Sequence, residues 1–355
     1  MKNLCVVAPA VALLFAPPAW ADGNSAPRNS ASGLASAPEK PAADKPSGDS
    51  PSDQKKEDEI PTGAFDLRPK FQFGQNRRIR LSLDSRETKP DPAALIDNKA
   101  PQEDEMKTQQ DFVLVFKPTK PREDGNSQVD IVIESIRSHV EGPGVNDSFD
   151  SKAPAKKPAL KKKSDPLNGL GEPPTLEETL RPLVGETLTV LFDPDGNVLQ
   201  VRGGEKFVRA LNPMAPEEMM QIGGDQKLRE LFKSIVSTPG KRYAKRGERW
   251  SSDTSLDLFP IGGSRLHTDY QLTKVQGSRG RIEFDGQLVP ASDPSPGSGG
   301  LKLSKAEYSG FTDWDQEDGF LRSSQANQKL DAELKIGEQT ISLRQSQKMI
   351  VERLK

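Results

Sequence analysis

The sequence predicts an α+β fold that is mostly β: a large curved antiparallel sheet, half-barrel-like, with a central helical layer. Three observations predict it. Short alternating or β-branched segments fill the early and late parts of the chain, whereas helical periodicity is confined to the middle. The best helix carries an apolar stripe, and the only partner broad enough to cover it is a sheet.

Taken in order, Arg78 to Asp84 alternates polar and apolar, as a strand with one wet face does. Asp111 to Phe116 and Val129 to Ile136 are denser in Val, Ile, Leu and Phe, which suits central strands. Leu188 to Phe192 and Val198 to Val201 flank Asp193-Pro194-Asp195-Gly196-Asn197, whose residues supply the preset φ, side-chain bond and positive φ of a tight hairpin. Seven further strands fit Trp250 to Leu258, Leu266 to Val275, Arg279 to Leu288, Leu301 to Thr312, Gly319 to Ala326, Leu330 to Ile336 and Thr340 to Arg353. Asp285-Gly286 and Gly337-Glu338 punctuate them. Polar loops are expected over residues 89–107 and from Pro290 to Gly300.

Thr175 is placed to cap a short helix with Glu177 and Glu178 in its first turn. Pro216-Glu217-Glu218 opens another helical turn. The longest helix spans Asp225 to Val236, with Leu228, Leu231, Phe232, Ile235 and Val236 on one face, and Pro239-Gly240 ends it.

The organisation outside the strands is compositional. Residues 1–21 (Lys2, an apolar run from Leu4 to Phe15, then Pro17-Pro18 and Ala19-Trp20-Ala21) have the layout of a signal peptide cleaved after Ala21. Export to the periplasm or medium is therefore expected. Residues 22–62, rich in Ala, Pro and Ser, cannot bury enough apolar surface to fold, and form a disordered linker. Residues 63–355 make a single β-rich domain with a Lys/Pro-rich insertion at about 141–174. A hydrophobic share of only 33% and thirty prolines agree with a folded part diluted by loose stretches.

Composition excludes several functions. With 50 Lys+Arg against 52 Asp+Glu the chain has no overall attraction for nucleic acid. The six lysines from Lys152 to Lys163 read as a solvated loop, with a basic patch for an anionic polymer such as nucleic acid or acidic glycan as the alternative. Cys5, the one cysteine, lies in the expected leader, which removes disulfides and thiolate chemistry. No later apolar run is long enough to span a bilayer, so the chain is not expected to be an integral membrane protein.

Catalytic and cofactor motifs are missing: there is no nucleophile elbow, P-loop, dinucleotide fingerprint or zinc helix. His139 and His267 lack ligands at metal spacing. Asp193 and Asp195, and the group Asp313, Asp315, Glu317 and Asp318, could hold Ca²⁺ or act as paired carboxylates, but both sit in turns that use such residues. Trp250, Trp314, Tyr243, Tyr270 and Tyr308 suit core or cross-strand packing, with sugar stacking as the alternative. No catalytic, cofactor-binding or metal residue is assigned, and no cofactor.

Several patterns resemble a family of uncharacterised bacterial exported proteins, a domain of unknown function. They are Phe71-Gln72-Phe73-Gly74-Gln75, Asp147-Ser148-Phe149-Asp150-Ser151, the hairpin from Phe192 to Val198, Gly247-Glu248-Arg249-Trp250, and Trp314-Asp315 to Gly319. The resemblance covers roughly residues 65–355. Curved-sheet carriers of the lipoprotein-localisation type look like a structural cousin, which implies an apolar concave groove. The expected role is non-enzymatic, binding an envelope component or an apolar small molecule. The alternative is an envelope polysaccharide hydrolase using Asp313 and Asp315.

Overall fold

A computed structural model describes residues 61–90, 103–119, 122–154, 175–204, 207, 224–236, 240–258, 262–290, 301–336 and 339–355. The expected signal peptide, nearly all of the expected linker, the Lys/Pro-rich stretch beyond 154 and the expected turn at Pro216 lie outside the described residues.

The expected strands are present, and most are longer than predicted. In chain order they are β1 (Phe65–Asp66), β2 (Arg77–Pro90), β3 (Glu103–Pro118), β4 (Ser127–Gly142), β5 (Val145–Asp150), β6 (Thr187–Phe192) and β7 (Val198–Arg202), followed by β8 (Tyr243–Ala244), β9 (Arg249–Leu258), β10 (Gly262–Gln276), β11 (Arg279–Pro290), β12 (Leu301–Asp315), β13 (Phe320–Ile336) and β14 (Gln339–Leu354). Helix α1 spans Leu176–Leu180 and α2 spans Gly224–Val236. Thr175 caps α1 in a full capping box with Glu178.

Twelve strands form one antiparallel sheet in the order β7-β6-β4-β3-β2-β14-β13-β12-β11-β10-β9, with β5 beside β4. Most neighbours are consecutive hairpins. The exception that joins the two halves is β2 against β14, the first long strand beside the last. Among the described residues β7 and β9 do not pair, so the sheet is not closed into a barrel.

Curvature follows from three ring contacts. β6 and β13 are five strand positions apart, about 24 Å in a flat sheet at ~4.8 Å per strand. Yet Phe192 of β6 and Phe320 of β13 both pack on Phe71, with centroids 4.8 and 6.5 Å away. Phe116 of β3 also reaches Phe320 at 5.9 Å, across three strand positions. The sheet is therefore a trough. Phe232 of α2 packs on Phe116 inside it, and Leu228, Ile235 and Val236 of the same stripe are buried.

The segment before β2 straps this end of the trough. β1 pairs with β8, Leu67 N–H donates to the Arg242 carbonyl, and Lys70 N–H donates to the Gly319 carbonyl. Trp314, fully buried, donates from Nε1 to the Asp66 carbonyl at 3.2 Å. Gly319 has positive φ and lies so close to the Lys70 backbone that a Cβ would collide. Arg77 is buried over the Phe320 ring and donates to the carbonyls of Lys70 and Asp318; burial pushes its pKa down to about 10.

Four expectations change. The ends of the loop expected over residues 89–107 belong to β2, which runs to Pro90, and to β3, which starts at Glu103. Residues 145–150, expected as the start of a loose insertion, form β5: Phe149 is buried, and Asp147 accepts a bond from Leu176 N–H at the start of α1. Residues 319–326 and 330–336, expected as two strands, belong to the single strand β13. Gly286 lies mid-strand in β11, where its missing side chain makes room for Thr268.

Phe71→Ala should lower unfolding free energy by about 2–3 kcal/mol, since it removes a half-buried ring and two aromatic contacts. Urea denaturation followed by circular dichroism measures this. A change under about 0.5 kcal/mol, the usual range for a surface substitution, would show that the bridge does not hold the curvature.

Candidate functional site

The trough's inner wall is set by the period of two along each strand, because cross-strand partners share a face. On β10, Leu266, Thr268, Tyr270 and Leu272 point inward and are buried, while His267 and Asp269 point out. The same alternation orients the neighbouring strands.

One row of inner positions is aromatic. Trp250, Tyr270 and Phe284 are successive cross-strand partners, and Tyr308 of β12 completes the series. Trp250 stacks on Tyr270 at 5.7 Å, Tyr270 tilts against Phe284 at 6.0 Å, and Phe284 stacks on Tyr308 at 5.0 Å. Glycines make this possible: Phe284 faces Gly310 and Tyr308 faces Gly286. A Cβ at Gly310 would collide with the Gln325 carbonyl oxygen and lie 2.7 Å from the Phe284 ring.

Two residues further along each strand, a second row is polar. Ser252 partners Thr268, Thr268 partners Gly286, and Gly286 partners Tyr308. The row continues through Gln328, Gln347, Ser85 and Thr108, crossing eight adjacent strands. Gln110 and Ser138 extend the polar surface on β3 and β4. Among the described residues three buried side-chain atoms on this wall have no hydrogen-bond partner, Ser138 Oγ, Tyr308 Oη and Gln328 Oε1, while the Ser252 and Thr268 hydroxyls gather around Tyr270 Oη. Burial pushes the Tyr270 phenol up, with the nearby Ser252 and Thr268 hydroxyls pulling back in part; burial also raises Tyr308. Both phenols are therefore neutral donors over the physiological range.

The charged candidates lie elsewhere and are engaged. Asp193 accepts from the backbone of Asp195 and Asn197 and from the Asn197 amide, closing its own hairpin turn. Asp195 pairs with Arg242. Asp313 is held by Arg281 through two bonds, 2.7 and 2.8 Å, and by the Ser323 hydroxyl at 3.0 Å. Burial pushes the Asp313 carboxyl up, but these donors outweigh it and hold it below the usual carboxylate range. Asp315 accepts from Glu317 N–H and pairs with Arg322 at 3.5 Å, while Asp318 pairs with Arg353. A bulge between Asp313 and Trp314 interrupts the strand register here. Among the described residues no group of three His, Cys, Asp or Glu is placed to hold a metal.

His139 sits on β4 opposite Gln109 and Ser148. His267 is exposed, with Nδ1 2.9 Å from Asp253 and Nε2 3.6 Å from Asp269; the Asp253 bond raises its pKa. Of the five aromatics singled out in the sequence, Trp250, Tyr270 and Tyr308 come together on the wall. Trp314 is core, and Tyr243 lies under Arg68 on β8. The polar row was missed. Its only sequence signal is a Ser, Thr or Gln recurring at inward positions of long strands, which shows only once the register is known.

Gly310→Ala should destabilise the protein by about 3 kcal/mol or more, because the clash involves backbone that cannot step aside. A thermal unfolding midpoint equal to the parent's would contradict this packing. Asp313→Asn should cost about 1 kcal/mol at pH 7, where the parent keeps a charge-assisted pair. A depressed carboxyl adds stability above its unfolded pKa of 3.8 and loses it as pH falls through the lower folded value. The gap between the two proteins in urea titrations should therefore be constant from neutral pH down to about 4 and shrink below that.

Comparison with known structures gives distant likenesses. The chain is similar to lipovitellin, in a structure describing lipid–protein interactions, with a TM-score of 0.43 and 8% identity; 81% of the chain is covered. It spans about a quarter of that protein's length (26%). Similarity to OccK7 (OpdD) of Pseudomonas aeruginosa has a TM-score of 0.22 at 7% identity, covering 79% of this chain and 99% of the other. The translocator domain of the autotransporter NalP from Neisseria meningitidis gives 0.17 at 8% identity, covering 80% and 90%. No curated protein matches the sequence. The sequence profile of a family of unknown function, DUF6263, matches residues 124–321, more than half of the chain, from just before β4 to the start of β13. The chain belongs to this family.

Proposed function

We propose that this protein is a non-enzymatic binding protein of the cell envelope or periplasm that holds an apolar small molecule against the inner wall of its trough. The observation that carries the reading is the ladder of four aromatic rings from β9 to β12, stacked along the inner wall. The row is apolar and of fixed geometry, buried at Tyr270, Phe284 and Tyr308 and half-buried at Trp250, the end through which a ligand would enter. The carboxylates that a hydrolase would need are tied up in turns and in the Arg281 pair, which gives the catalytic alternative no structural support. Among the described residues no helix is long and apolar enough to cross a membrane.

Titration of the purified chain with N-phenyl-1-naphthylamine, a neutral apolar fluorophore, tests the proposal. Saturable binding is expected, accompanied by a change in tryptophan emission. Trp250→Leu, which removes the half-buried end of the ladder, should weaken binding about tenfold, at the upper end of what an aromatic contact contributes. Binding that never saturates, or that ignores the substitution, would sink the reading.

A further inference from the structure

We propose that the free edge of β9 pairs with the same strand of a second copy, antiparallel about a two-fold axis at Asp253, so that two troughs share one continuous sheet.

The two ends of the sheet differ. Among the described residues β9 has a neighbour on one side only, β10, and the other end of the sheet is formed by β7 and by β5 beside β4. Open edges invite pairing with another chain, and proteins guard them with short strands, bulges, proline or lysine. The far end is guarded in this way. β7 and β5 are five and six residues long, and the register of β7 with β6 slips between Leu191 and Phe192. β9 is ten residues long, holds no proline or lysine, and runs against β10 without a bulge. It is the open template of the two.

Hydrogen-bond phase restricts the register. Leu272 N–H donates to the Glu248 carbonyl at 3.1 Å, one residue before β9 begins. In an antiparallel pair the backbone groups of successive residues face opposite sides. Trp250, Ser252 and the other even-numbered residues therefore bond β10, and the N–H and C=O groups of Arg249, Ser251, Asp253, Ser255 and Asp257 face the open edge. A second copy must bring odd-numbered residues opposite odd-numbered ones.

Charge selects among the registers that remain. An axis through Asp253 sets Arg249 of each copy opposite Asp257 of the other, Ser251 opposite Ser255, and Asp253 opposite itself. Shifting the axis by one residue either way sets Asp253 opposite a serine and takes Arg249 away from Asp257. Arg249 and Asp253 are exposed, and Arg249 forms no ion pair with any described residue. Two opposite-charge pairs thus stand against one like-charge pair. That one is tempered by the His267 ring, whose Nδ1 lies 2.9 Å from the Asp253 carboxylate of its own copy. The contact is isologous and uses the same edge of both copies, so only the guarded ends are left and assembly stops at two.

Sedimentation velocity of the full chain, from about 5 to 200 µM, tests the pairing in the range of a small, reversible interface. A monomer–dimer equilibrium with no larger species is expected. Arg249→Asp and Asp257→Arg should each weaken the dimer about tenfold or more, and the two together should restore it. Asp253→Asn, which removes the like-charge pair, should tighten it about threefold. Ser251→Pro loses an N–H that faces the open edge, so it should abolish the dimer and leave the circular dichroism spectrum unchanged. Where that variant does not fold, the charge swap decides. A monomer throughout the range, open-ended growth of the kind that β9 on β7 would give, or a dimer that ignores both single charge reversals overturns the proposal.

Discussion

The shape of this protein depends on a bridge of rings. Phe71, supplied by a segment outside the sheet, touches Phe192 and Phe320 at once and so holds together strands that a flat sheet would separate widely. A large twisted sheet curls readily, but its twist alone gives it no fixed partner across one face. The strap from β1 to Arg77 gives it one, by tying the β12–β13 turn and β8 to the mouth of β2 through backbone and side-chain bonds. Helix α2 then fills the curl, with Phe232 against Phe116. The aromatic cluster at this end is the part of the core where contacts run across the trough as well as along it.

Curvature gives the inward positions a meaning they would lack on a flat sheet. Once one face is enclosed, every second residue must be apolar, be small, or find a hydrogen-bond partner. From the bridge, the wall passes from Phe, Ile and Val through the aromatic ladder to the polar row. Gly286 and Gly310 show that the ladder is a packed arrangement: each glycine faces an aromatic on the neighbouring strand, and the Gly310 site cannot accept even a methyl group. The hydroxyls beside it are held by the same register, so their spacing is as fixed as that of the rings.

Much of this architecture is legible in the sequence. The Asp193–Asn197 hairpin, the Thr175 cap and the apolar stripe of α2 each depend on neighbours a few residues apart, where local chemistry decides. Long-range features are not legible in this way. β5 looked like loop because its polar residues are engaged by distant groups: Asp147 meets α1, and Ser151 just beyond accepts from Ile136 N–H at the β4 bulge. Gly286 looked like a turn because a lone glycine carries no sign of the threonine and tyrosine side chains that need its space. The polar row was invisible for the same reason. Ser252, Gln328 and Thr108 lie far apart in sequence and become one surface only through five successive hairpins, the β2–β14 junction and the β2–β3 pairing.

The acidic clusters and the polar row lie in different places. The acidic residues that stand out in the sequence cluster at turns, where Asp193 satisfies its own backbone and Asp195, Asp313 and Asp318 each meet an arginine. Such pairs, partly exposed, stabilise modestly and leave little electrostatic potential for chemistry. The polar row has the opposite character, with uncharged side chains and deep burial at Thr268 and Tyr308. A site for proton transfer needs titrating groups with shifted pKa values facing a substrate, and here the shifted carboxylate Asp313 is neutralised by Arg281. A site for recognition needs fixed donors and acceptors beside an apolar surface. On the proposed reading the inner wall meets that second requirement, because the strand register fixes its side chains as rigidly as the core.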